Sequence, residues 1–503
     1  MKRNKPIFAL AVLLLVVSPA AAADIDAAKY LENVKFLASD QMKGRANGGR
    51  ELDEAAQYIA SQFRSFGLRP LSGESFLLSL PITVEASIGA DNRLTYWEGD
   101  KPTSLALNEE FRPLSLSGSG TVSGEVVFAG YGISAREYGY DDYAGIDVKG
   151  KLVMVLRHEP QELDQNSIFS GKLYTNHAQL ESKALNARRR GAVAVLFVND
   201  RPAHPNETLG LTDFAGGAGP PSPGIPFVEV RADVADRWMQ LAGHSLAKVV
   251  EAVDRKLRPQ SFALPASFRV ELTADVRQQS RTVNNVAAYL PGKTDEYLVL
   301  GAHYDHVGQG EQFSMAPSRR GTTHNGADDN ASGTSGLVEL ARWFSSQPQP
   351  RRGILFLTFA AEEIGLVGSN HYVSNPRLPL EKAIAMINMD MIGRLRNNTV
   401  YVGGVNTGSS FKKVLREANR GPRFQLETSD NGGYGSSDQF TFLPNEIPIM
   451  LFFTGLHPEY HTPDDTWDKI DAPAAARLVG YIGSVAERLL EAPSRPRFVK
   501  PKR

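Results

Sequence analysis

The sequence predicts an α/β fold with a mostly parallel, mixed β-sheet flanked by helices, and a second, smaller β-rich unit inserted into it. Residues 283–492 alternate apolar strand-like runs with amphipathic helical segments, a pattern typical of a parallel sheet covered by helices. Residues 76–255 instead carry short β-like runs separated by turns. The length of 503 residues also exceeds what one simple hydrophobic core accommodates.

The α/β region begins with two helices. Residues 27–37 place apolar side chains at helical spacing, and residues 51–66 do the same before a stop at Gly67. Apolar runs then predict strands at Asn285–Leu290, Tyr297–Ala302, Ile354–Phe359, Ala383–Asn388, Thr399–Val402 and Ile447–Phe453. The helices between and after them are predicted at Ser332–Ser346, Phe411–Ala418 and Ala472–Leu490.

The inserted unit shows a different pattern. Its clearest strands are Gly124–Ala129, Lys151–Leu156 and Ala192–Val198, and a helix at Ala178–Arg190 precedes the last of these. A turn-rich loop at residues 215–224 follows. We therefore assign residues 24–75 and 265–492 to the α/β domain, and residues 76–255 to an insertion with its core at about 115–250.

Both ends of the chain predict short segments outside the fold. Basic residues, an apolar run at Ile7–Val17 and the small residues Ala20–Ala23 are typical of a secretory signal, so residues 1–23 are expected to be cleaved. An uncleaved anchor is the alternative, although the run is short for a bilayer. We expect an exported protein of bacterial type, periplasmic or secreted, without stable membrane insertion after cleavage. The basic, proline-bearing segment 493–503 is expected to be a disordered tail.

Composition excludes several classes of function. The chain has 55 Lys and Arg against 56 Asp and Glu, a net charge of -1, whereas a nucleic-acid-binding protein needs clustered positive charge. It contains no cysteine, which excludes disulfides, thiolate metal sites and a lipid-anchored N-terminal cysteine. Nothing in the sequence indicates the oligomeric state.

Metal-type ligands follow several of the predicted strands. His303 and Asp390 each come directly after an apolar run, and His461 follows another after a loop. The pair Glu362 and Glu363 also ends an apolar strand, where two solvated carboxylates are unexpected. Asp329 lies just before a helix. Ligands at the carboxyl ends of such strands converge, and two histidines with three carboxylates suit Zn²⁺, or two ions if one carboxylate bridges.

Five motifs, in order and spacing, resemble the M28 family of zinc aminopeptidases. They are Gly301-Ala-His-Tyr-Asp305, Gly326-Ala-Asp-Asp-Asn-Ala-Ser-Gly333, Ala361-Glu-Glu-Ile-Gly365, Asn388-Met-Asp-Met391 and His461-Thr-Pro463. The resemblance covers residues 283–490 and the N-terminal helices, and it implies a phosphorylase/hydrolase-like zinc peptidase fold. The inserted unit resembles a protease-associated (PA) domain at Phe128–Ile133, Asp141–Tyr143 and Gly150–Leu156.

The resemblance implies a role for each candidate residue. Asp329 would bridge two Zn²⁺ ions, with His303 and Asp390 on one ion and Glu363 and His461 on the other. Glu362 would be the general base, a role that suits a carboxylate beside the metals that does not ligate them.

Two further residues are expected to support the chemistry. Asp305 can accept the second imidazole N–H of His303 and fix its ring. Tyr434, in a glycine-rich loop, resembles the tyrosine that donates to the oxyanion in this family. The remaining histidines match no ligand position. His306, His324, His371 and His457 lie near the motifs, and of these His324 and His457 could line the cleft. The four histidines of the inserted unit need no special role.

These observations predict a dizinc aminopeptidase that removes N-terminal residues from peptide or protein substrates with a free N-terminus. The resemblance also covers other amide hydrolases and acyl-transfer enzymes, namely carboxypeptidases, dipeptidases and glutaminyl cyclases. A binding protein that has kept the fold and lost activity would show broken ligand positions, and all five are intact here. Side-chain preference and the role of the inserted unit do not follow from the sequence.

Overall fold

The computed structural model describes residues 25–164, 166–169, 171, 174–199, 211–310, 312–429 and 437–500. The predicted signal peptide, Tyr434 and residues 501–503 lie outside this part of the chain. Helices are found at α1 (Ala27–Leu37), α2 (Arg50–Ser65), α3 (Leu180–Arg189), α4 (Ala232–Gln240), α5 (Leu246–Lys256), α6 (Gly333–Ser345), α7 (Val367–Ser374), α8 (Phe411–Ala418) and α9 (Ala472–Glu491).

The strands form two large sheets and one small ribbon. In chain order they are β1 (Arg69–Pro70), β2 (Leu77–Ile88), β3 (Arg93–Glu98), β4 (Lys101–Ser104), β5 (Phe111–Pro113), β6 (Gly120–Phe128), β7 (Ser134–Ala135), β8 (Tyr140–Asp141), β9 (Leu152–Leu156), β10 (Ala194–Val198), β11 (Phe227–Val230), β12 (Phe262–Ala263), β13 (Phe268–Ala274), β14 (Val276–Leu290), β15 (Tyr297–His303), β16 (Gly353–Phe359), β17 (Ala383–Met389), β18 (Thr399–Gly403), β19 (Gln425–Thr428) and β20 (Ile449–Phe453).

The first sheet has the strand order β1-β14-β16-β15-β17-β20-β18-β19, and β2 also pairs with β14. Its centre, β16-β15-β17-β20, is parallel, whereas β14 and β18 join that centre antiparallel. Every residue of the four central strands is buried, which explains why the sequence shows continuous apolar runs there instead of an alternating pattern. The predicted α/β class with a mostly parallel, mixed sheet is confirmed.

Helices α1, α2, α6 and α9 contribute to one hydrophobic core with this sheet. Helix α2 buries the apolar stripe that its sequence predicts, from Ala55 to Phe63. Helix α9 begins where the Asp471 side chain accepts a hydrogen bond from the Ala474 N–H at 3.1 Å. Among the described residues, no helix combines the length and apolar character needed to cross a bilayer.

The second sheet has the order β4-β3-β13-β6-β9-β10-β11-β5, with β12 beside β6. Strand β13 pairs with both β3 and β6, so Phe268–Ala274 belongs to the inserted unit and not to the α/β domain as predicted. The sequence partition began the second α/β segment at residue 265, before this strand. The chain re-enters the first sheet only at Val276, in the long strand β14.

The inserted unit packs against the α/β domain through apolar side chains. Val299 and Leu355 of the first sheet lie in the same contiguous hydrophobic cluster as Met154 and Leu196 of the second. A shared cluster means that part of the apolar surface of each unit is buried by the other. The two units therefore pack as one body at this face of the first sheet.

The prediction of a disordered tail is wrong for residues 493–500. Val499 N–H donates to Thr407 O at 2.8 Å, and Ser409 N–H donates to Arg497 O at 3.0 Å. The half-buried ring of Phe498 packs against the second core cluster. The basic and proline-rich composition of this segment favoured disorder, and the contact of the Phe498 ring was not predicted from it.

Candidate metal centre

The carboxyl ends of the parallel strands bring the predicted ligands to one edge of the first sheet. Strand β15 ends at His303, which lies in register with Phe359 at the end of β16. Glu362 and Glu363 follow that strand after a short turn, and Asp390 directly follows β17. This is the arrangement that the apolar runs in the sequence predict.

One cluster is formed by His303, Asp329 and Asp390. The Nε2 atom of His303 lies 3.3 Å from Asp329 Oδ1 and 3.5 Å from Asp390 Oδ1. His303 and Asp329 are both buried. One ligand atom of each residue lies close enough to the other two for the three to hold a single ion.

A second cluster contains His461, Asp329, Glu363 and His306. The Nε2 atom of His461 lies 3.1 Å from Asp329 Oδ2 and 3.0 Å from Glu363 Oε2. Asp329 thus presents Oδ1 to the first cluster and Oδ2 to the second. A carboxylate with one oxygen in each of two clusters is placed to bridge two cations.

Main-chain hydrogen bonds hold Asp329 between the clusters. The carboxylate of Asp465 accepts the N–H groups of Asp328 and Asp329, with Oδ2 at 3.0 Å from each nitrogen. The neighbouring Asn330 donates to Met389 O at 3.0 Å, beside Asp390. These bonds tie the turn before α6 to the ends of two other segments of the site.

Both ligand histidines point Nε2 at the carboxylate oxygens and anchor Nδ1 on a main-chain carbonyl, which is the orientation that a metal ligand needs. His461 Nδ1 lies 2.8 Å from Phe313 O, and His303 Nδ1 lies 3.2 Å from Asp305 O. A carbonyl only accepts, so each Nδ1 carries the proton, and in the neutral ring the bare Nε2 faces carboxylate oxygens. His461 Nε2 is buried and makes no hydrogen bond within the described residues.

The spacing of the ligand atoms also fits zinc. Ligands about 2.0–2.1 Å from a tetrahedral Zn²⁺ lie roughly 3.3 Å apart. The four nitrogen–oxygen separations in the two clusters run from 3.0 to 3.5 Å. Burial alone lowers the pKa of His461, but the charges of Glu363 and Asp329 outweigh it and raise that pKa to about 11. The site therefore favours positive charge.

Glu362 lies beside the two clusters that share Asp329 but belongs to neither of them. One of its oxygens lies within 4.8 Å of a ligand atom of His303 and one of Glu363. Burial, and then the charges of Glu363, Asp438 and Asp390, raise the pKa of Glu362 well above its usual value against the opposing effect of His303. Its position suits a group that exchanges a proton with a metal-bound ligand.

Asp305 acts differently from the prediction. Its carboxylate is fully buried and accepts the N–H of Glu362 at 3.0 Å, the N–H of Glu363 at 3.2 Å and the side-chain amide of Asn47 at 2.7 Å. The His303 ring instead contacts the main-chain carbonyl of Asp305, while the carboxylate oxygen lies 3.7 Å from Nδ1. Asp305 thus positions the turn that carries both glutamates, and its main chain orients His303.

His306 is the residue that sequence reasoning missed. Its Nδ1 lies 2.9 Å from Glu363 Oε1, in hydrogen-bond contact, and 3.8 Å from Asp329 Oδ2. The available signal was its place three residues after His303, in the same loop at the same strand end. We interpret it as the donor that orients Glu363, or as a further ligand of the second cluster.

His324 and His457 are buried in contacts of their own and do not belong to the metal clusters. His324 bonds to Ser314 and to Thr322 O. His457 contacts Arg394, and its Nε2 lies 3.3 Å from Asp328. His457 thus packs directly behind the Asp328–Asp329 turn, and a place in the cleft lining stays a prediction for both residues.

Arg45 links the N-terminal segment to the site. Its fully buried guanidinium donates to four main-chain carbonyls: Tyr304 at 2.7 Å, Asn325 at 2.8 Å, Gly326 at 2.9 Å, and Leu37. Burial lowers its pKa to about 10, so the group stays charged at neutral pH. The segment directly after His303 and the loop before Asp329 are thus fastened to the end of α1.

A cavity of about 490 Å³ opens beside the second cluster. Glu363 and His306 form its inner end. The other lining residues are Ala46, Asn47, Val84, Glu85, Gly216, Gly217, Ala218, Val307, Gln312, Phe313, Arg320 and Ile364. A substrate bound at the clusters can extend a side chain into this space.

Comparison with known proteins identifies two regions. Residues 285–485 match Peptidase family M28, and residues 122–238 match the PA domain. Aminopeptidase YwaD of Bacillus subtilis is 25% identical over 372 residues, which cover 72% of this chain and 67% of that protein. The probable glutamate carboxypeptidase AMP1 of Arabidopsis thaliana is 27% identical over 67% of this chain, and the match spans only 48% of that protein.

Among solved structures, an aminopeptidase from Aneurinibacillus sp. strain AM-1 aligns with a TM-score of 0.48 and 22% identity, covering 95% of this chain and 96% of its own. Both matched regions fall where the structure places the two sheets, since the first covers β15–β20 and the second covers β9–β11. The comparisons thus identify a peptidase family M28 domain at residues 285–485 and a PA domain at residues 122–238.

Proposed function

We propose that this chain is an exported, dinuclear zinc aminopeptidase. The observation that carries the proposal is the pair of histidines, His303 and His461, whose Nε2 atoms face carboxylate oxygens of one shared residue, Asp329. Two histidines and three carboxylates are a donor set that suits Zn²⁺. The name of the Bacillus subtilis relative supports aminopeptidase activity.

Each residue of the site then has a defined task. His303 and Asp390 would hold one ion, Glu363 and His461 the other, and Asp329 would bridge them. When bound, two zinc ions supply a water of lowered pKa and a clamp for the developing oxyanion. Glu362 would take the proton from that water and deliver it to the leaving amine.

Two positioning groups support this chemistry. Asp305 fixes the main chain of Glu362 and Glu363, so the base and a ligand keep a constant separation. Tyr434 is proposed to donate to the oxyanion; this role rests on its resemblance to the family motif. The carboxylate-rich site would also attract the free α-amine of a peptide.

A second candidate function is a related amide hydrolase or acyl transferase, such as a carboxypeptidase, dipeptidase or glutaminyl cyclase. The observation that favours it is the name of the Arabidopsis thaliana relative, a probable glutamate carboxypeptidase. All of these reactions use the same metal-bound water or the same electrophilic clamp. The substrate terminus, and not the metal site, separates them.

The test is a peptide set assayed with metal content measured on the same sample. Each peptide is offered with a free N-terminus, with an acetylated N-terminus, and with an amidated C-terminus. An aminopeptidase cleaves the free and amidated forms, releases the first residue and contains two zinc ions per chain. Cleavage that survives acetylation, or that requires a free C-terminus, would instead favour the second candidate.

Export is proposed from the signal-like residues 1–23. The measurement is the N-terminus of the protein recovered from the cell envelope and medium. A protein that begins near Ala23 or Asp24 supports export, and an intact Met1 in the cytoplasmic fraction contradicts it.

A further inference from the structure

The cavity beside the metal clusters has a wall that comes from the inserted PA domain. Gly216, Gly217 and Ala218 line it opposite the α/β domain residues Val307 and Ile364. We call residues 216–218 the wall strip. Val84, Val307, Phe313 and Ile364 add apolar lining to the same cavity, beside polar residues such as Asn47 and Glu85. The apolar part of the cavity that the wall strip completes suits an apolar side chain.

The wall strip is fixed to the first sheet by main-chain hydrogen bonds. Thr83 of β2 donates to Gly219 O at 3.0 Å and accepts from the Gly219 N–H at 2.9 Å. Ala86 N–H donates to Gly216 O at 2.8 Å. The inserted domain therefore adds a short length of extended chain beside β2, next to the site.

Gln312 holds the wall strip from the other side. In the amide orientation that satisfies both of its ends, it donates to Ala218 O at 2.9 Å and accepts from Ala218 N–H at 3.0 Å and Gly217 N–H at 3.2 Å. One side chain of the α/β domain thus pairs with the backbone of the inserted domain as a neighbouring strand would. Gly217 permits this approach, because a Cβ there would lie 1.7 Å from the Gln312 amide.

The segment that carries Gln312 also contacts the metal cluster. Phe313 O accepts the Nδ1 hydrogen bond of His461 at 2.8 Å, and Met315 N–H donates to His461 O at 2.9 Å. Gln312 therefore lies between the inserted domain and a residue that we assign as a ligand. The strip contacts Gln312 directly, whereas His461 contacts only the residues that follow Gln312. A displaced strip is therefore expected to change the pocket more than it changes the position of His461.

We propose that the wall strip makes the inserted domain a substrate-selecting element, and that Gln312 is the positioning residue that holds the strip against the pocket. The pocket accepts an apolar side chain next to the scissile bond, from the first or the second residue of the peptide. This inference rests on the proposed function and adds a role for the inserted domain.

The test uses three tripeptides with free N-termini: Ala-Ala-Ala, Leu-Ala-Ala and Ala-Leu-Ala. Wild type and Gln312→Ala are compared by kcat and KM on each. Losing the wall contact is expected to raise KM about tenfold for the leucine peptide whose side chain enters the pocket. Ala-Ala-Ala, whose methyl groups do not reach the strip, is expected to keep its KM and kcat.

A double-mutant cycle separates the contact from general damage. Gly217→Ala pushes the Gln312 amide away and is expected to reproduce the selective KM increase, whereas adding it to Gln312→Ala changes little more. The matched control is Gln278→Ala, which removes a glutamine bond to Ser115 O at 2.5 Å outside the cavity lining and should keep the wild-type profile.

The outcomes separate the two levels of the argument. If wild type cleaves none of the three peptides, the proposed function fails. If wild type cleaves them and Gln312→Ala loses activity equally on all three, or keeps the wild-type preference, the selecting role of the strip is overturned. Additive effects of Gln312→Ala and Gly217→Ala would overturn the Gln312–Gly217 contact as its basis.

Discussion

Replacing Asp305 by asparagine tests how the site is held together. Asp305 uses one oxygen for the N–H of Glu362 and the other for the N–H of Glu363. Asparagine keeps the shape of the side chain but offers one acceptor and an NH₂ group, so one buried N–H loses its partner. The contact from His303 to the main-chain carbonyl of residue 305 remains.

The magnitude follows from the bonds that change. A hydrogen bond to a buried charged acceptor contributes about 1.5–3 kcal/mol, and losing it lowers stability by about that amount. At roughly 2–4 °C per kcal/mol, the thermal midpoint of Asp305→Asn should fall by about 3–12 °C. Displacement of Glu362 should lower kcat by up to about 10²-fold.

The assays are a thermal denaturation curve, kcat on a free peptide, and zinc content. We expect a lower midpoint and a lower kcat with both zinc ions retained, because His303 keeps its carbonyl partner. Asp471→Asn is the matched control: the same exchange at an exposed helix cap should change neither kcat nor zinc content. Half the zinc lost with an unchanged midpoint would refute this reasoning, since it would mean that the carboxylate acts on His303.

Four other predictions concern single residues. Glu362→Ala should retain both metals and lose about 10²–10⁴-fold in kcat, so an unchanged kcat would remove it from the role of base. Asp329→Ala should lose metal, and a full two-zinc count would contradict the bridging assignment. Tyr434→Phe should lower kcat by about 10²-fold with little change in zinc content or KM. A changed KM with an unchanged kcat would contradict an oxyanion role. Asp142 of the inserted domain is fully buried and accepts three hydrogen bonds, yet burial raises its pKa to about 7. The stabilising contribution of protonated Asp142 is therefore fully present below its unfolded pKa of 3.8 and is lost as the pH rises through about 7. The thermal midpoint of wild type should accordingly fall relative to that of Asp142→Asn between about pH 5 and pH 8. A constant difference between the two midpoints would contradict the raised pKa.

The four central strands of the first sheet were predictable because burial on both faces leaves them apolar throughout. Helix Phe411–Ala418 has the predicted bounds, and β15, β16 and β17 differ from prediction by a residue at an end. Strand β13 was harder to assign, because its alternating pattern fits either sheet and only its partners β3 and β6 decide which one.

Within the site, motif order identified which residues converge but not how each one is held. His303 and Asp305 are two residues apart, and this spacing led us to expect a direct contact between their side chains. In the structure the carboxylate turns towards the N–H groups of the next strand end. His306 was missed because its contact with Glu363 joins the ends of two different strands, and its place three residues after His303 was the one local signal.

The buried guanidinium of Arg45 has a consequence for when activity can begin. It joins the end of the first helix to Asn325, 280 positions further along the chain, and Asp465 reaches back 137 positions to Asp328. Closing such long loops is slow, and it needs segments from both ends of the chain. A partly synthesised chain without its last segments lacks both His461 and the brace on Asp329. The complete site can therefore form only when the polypeptide is nearly complete.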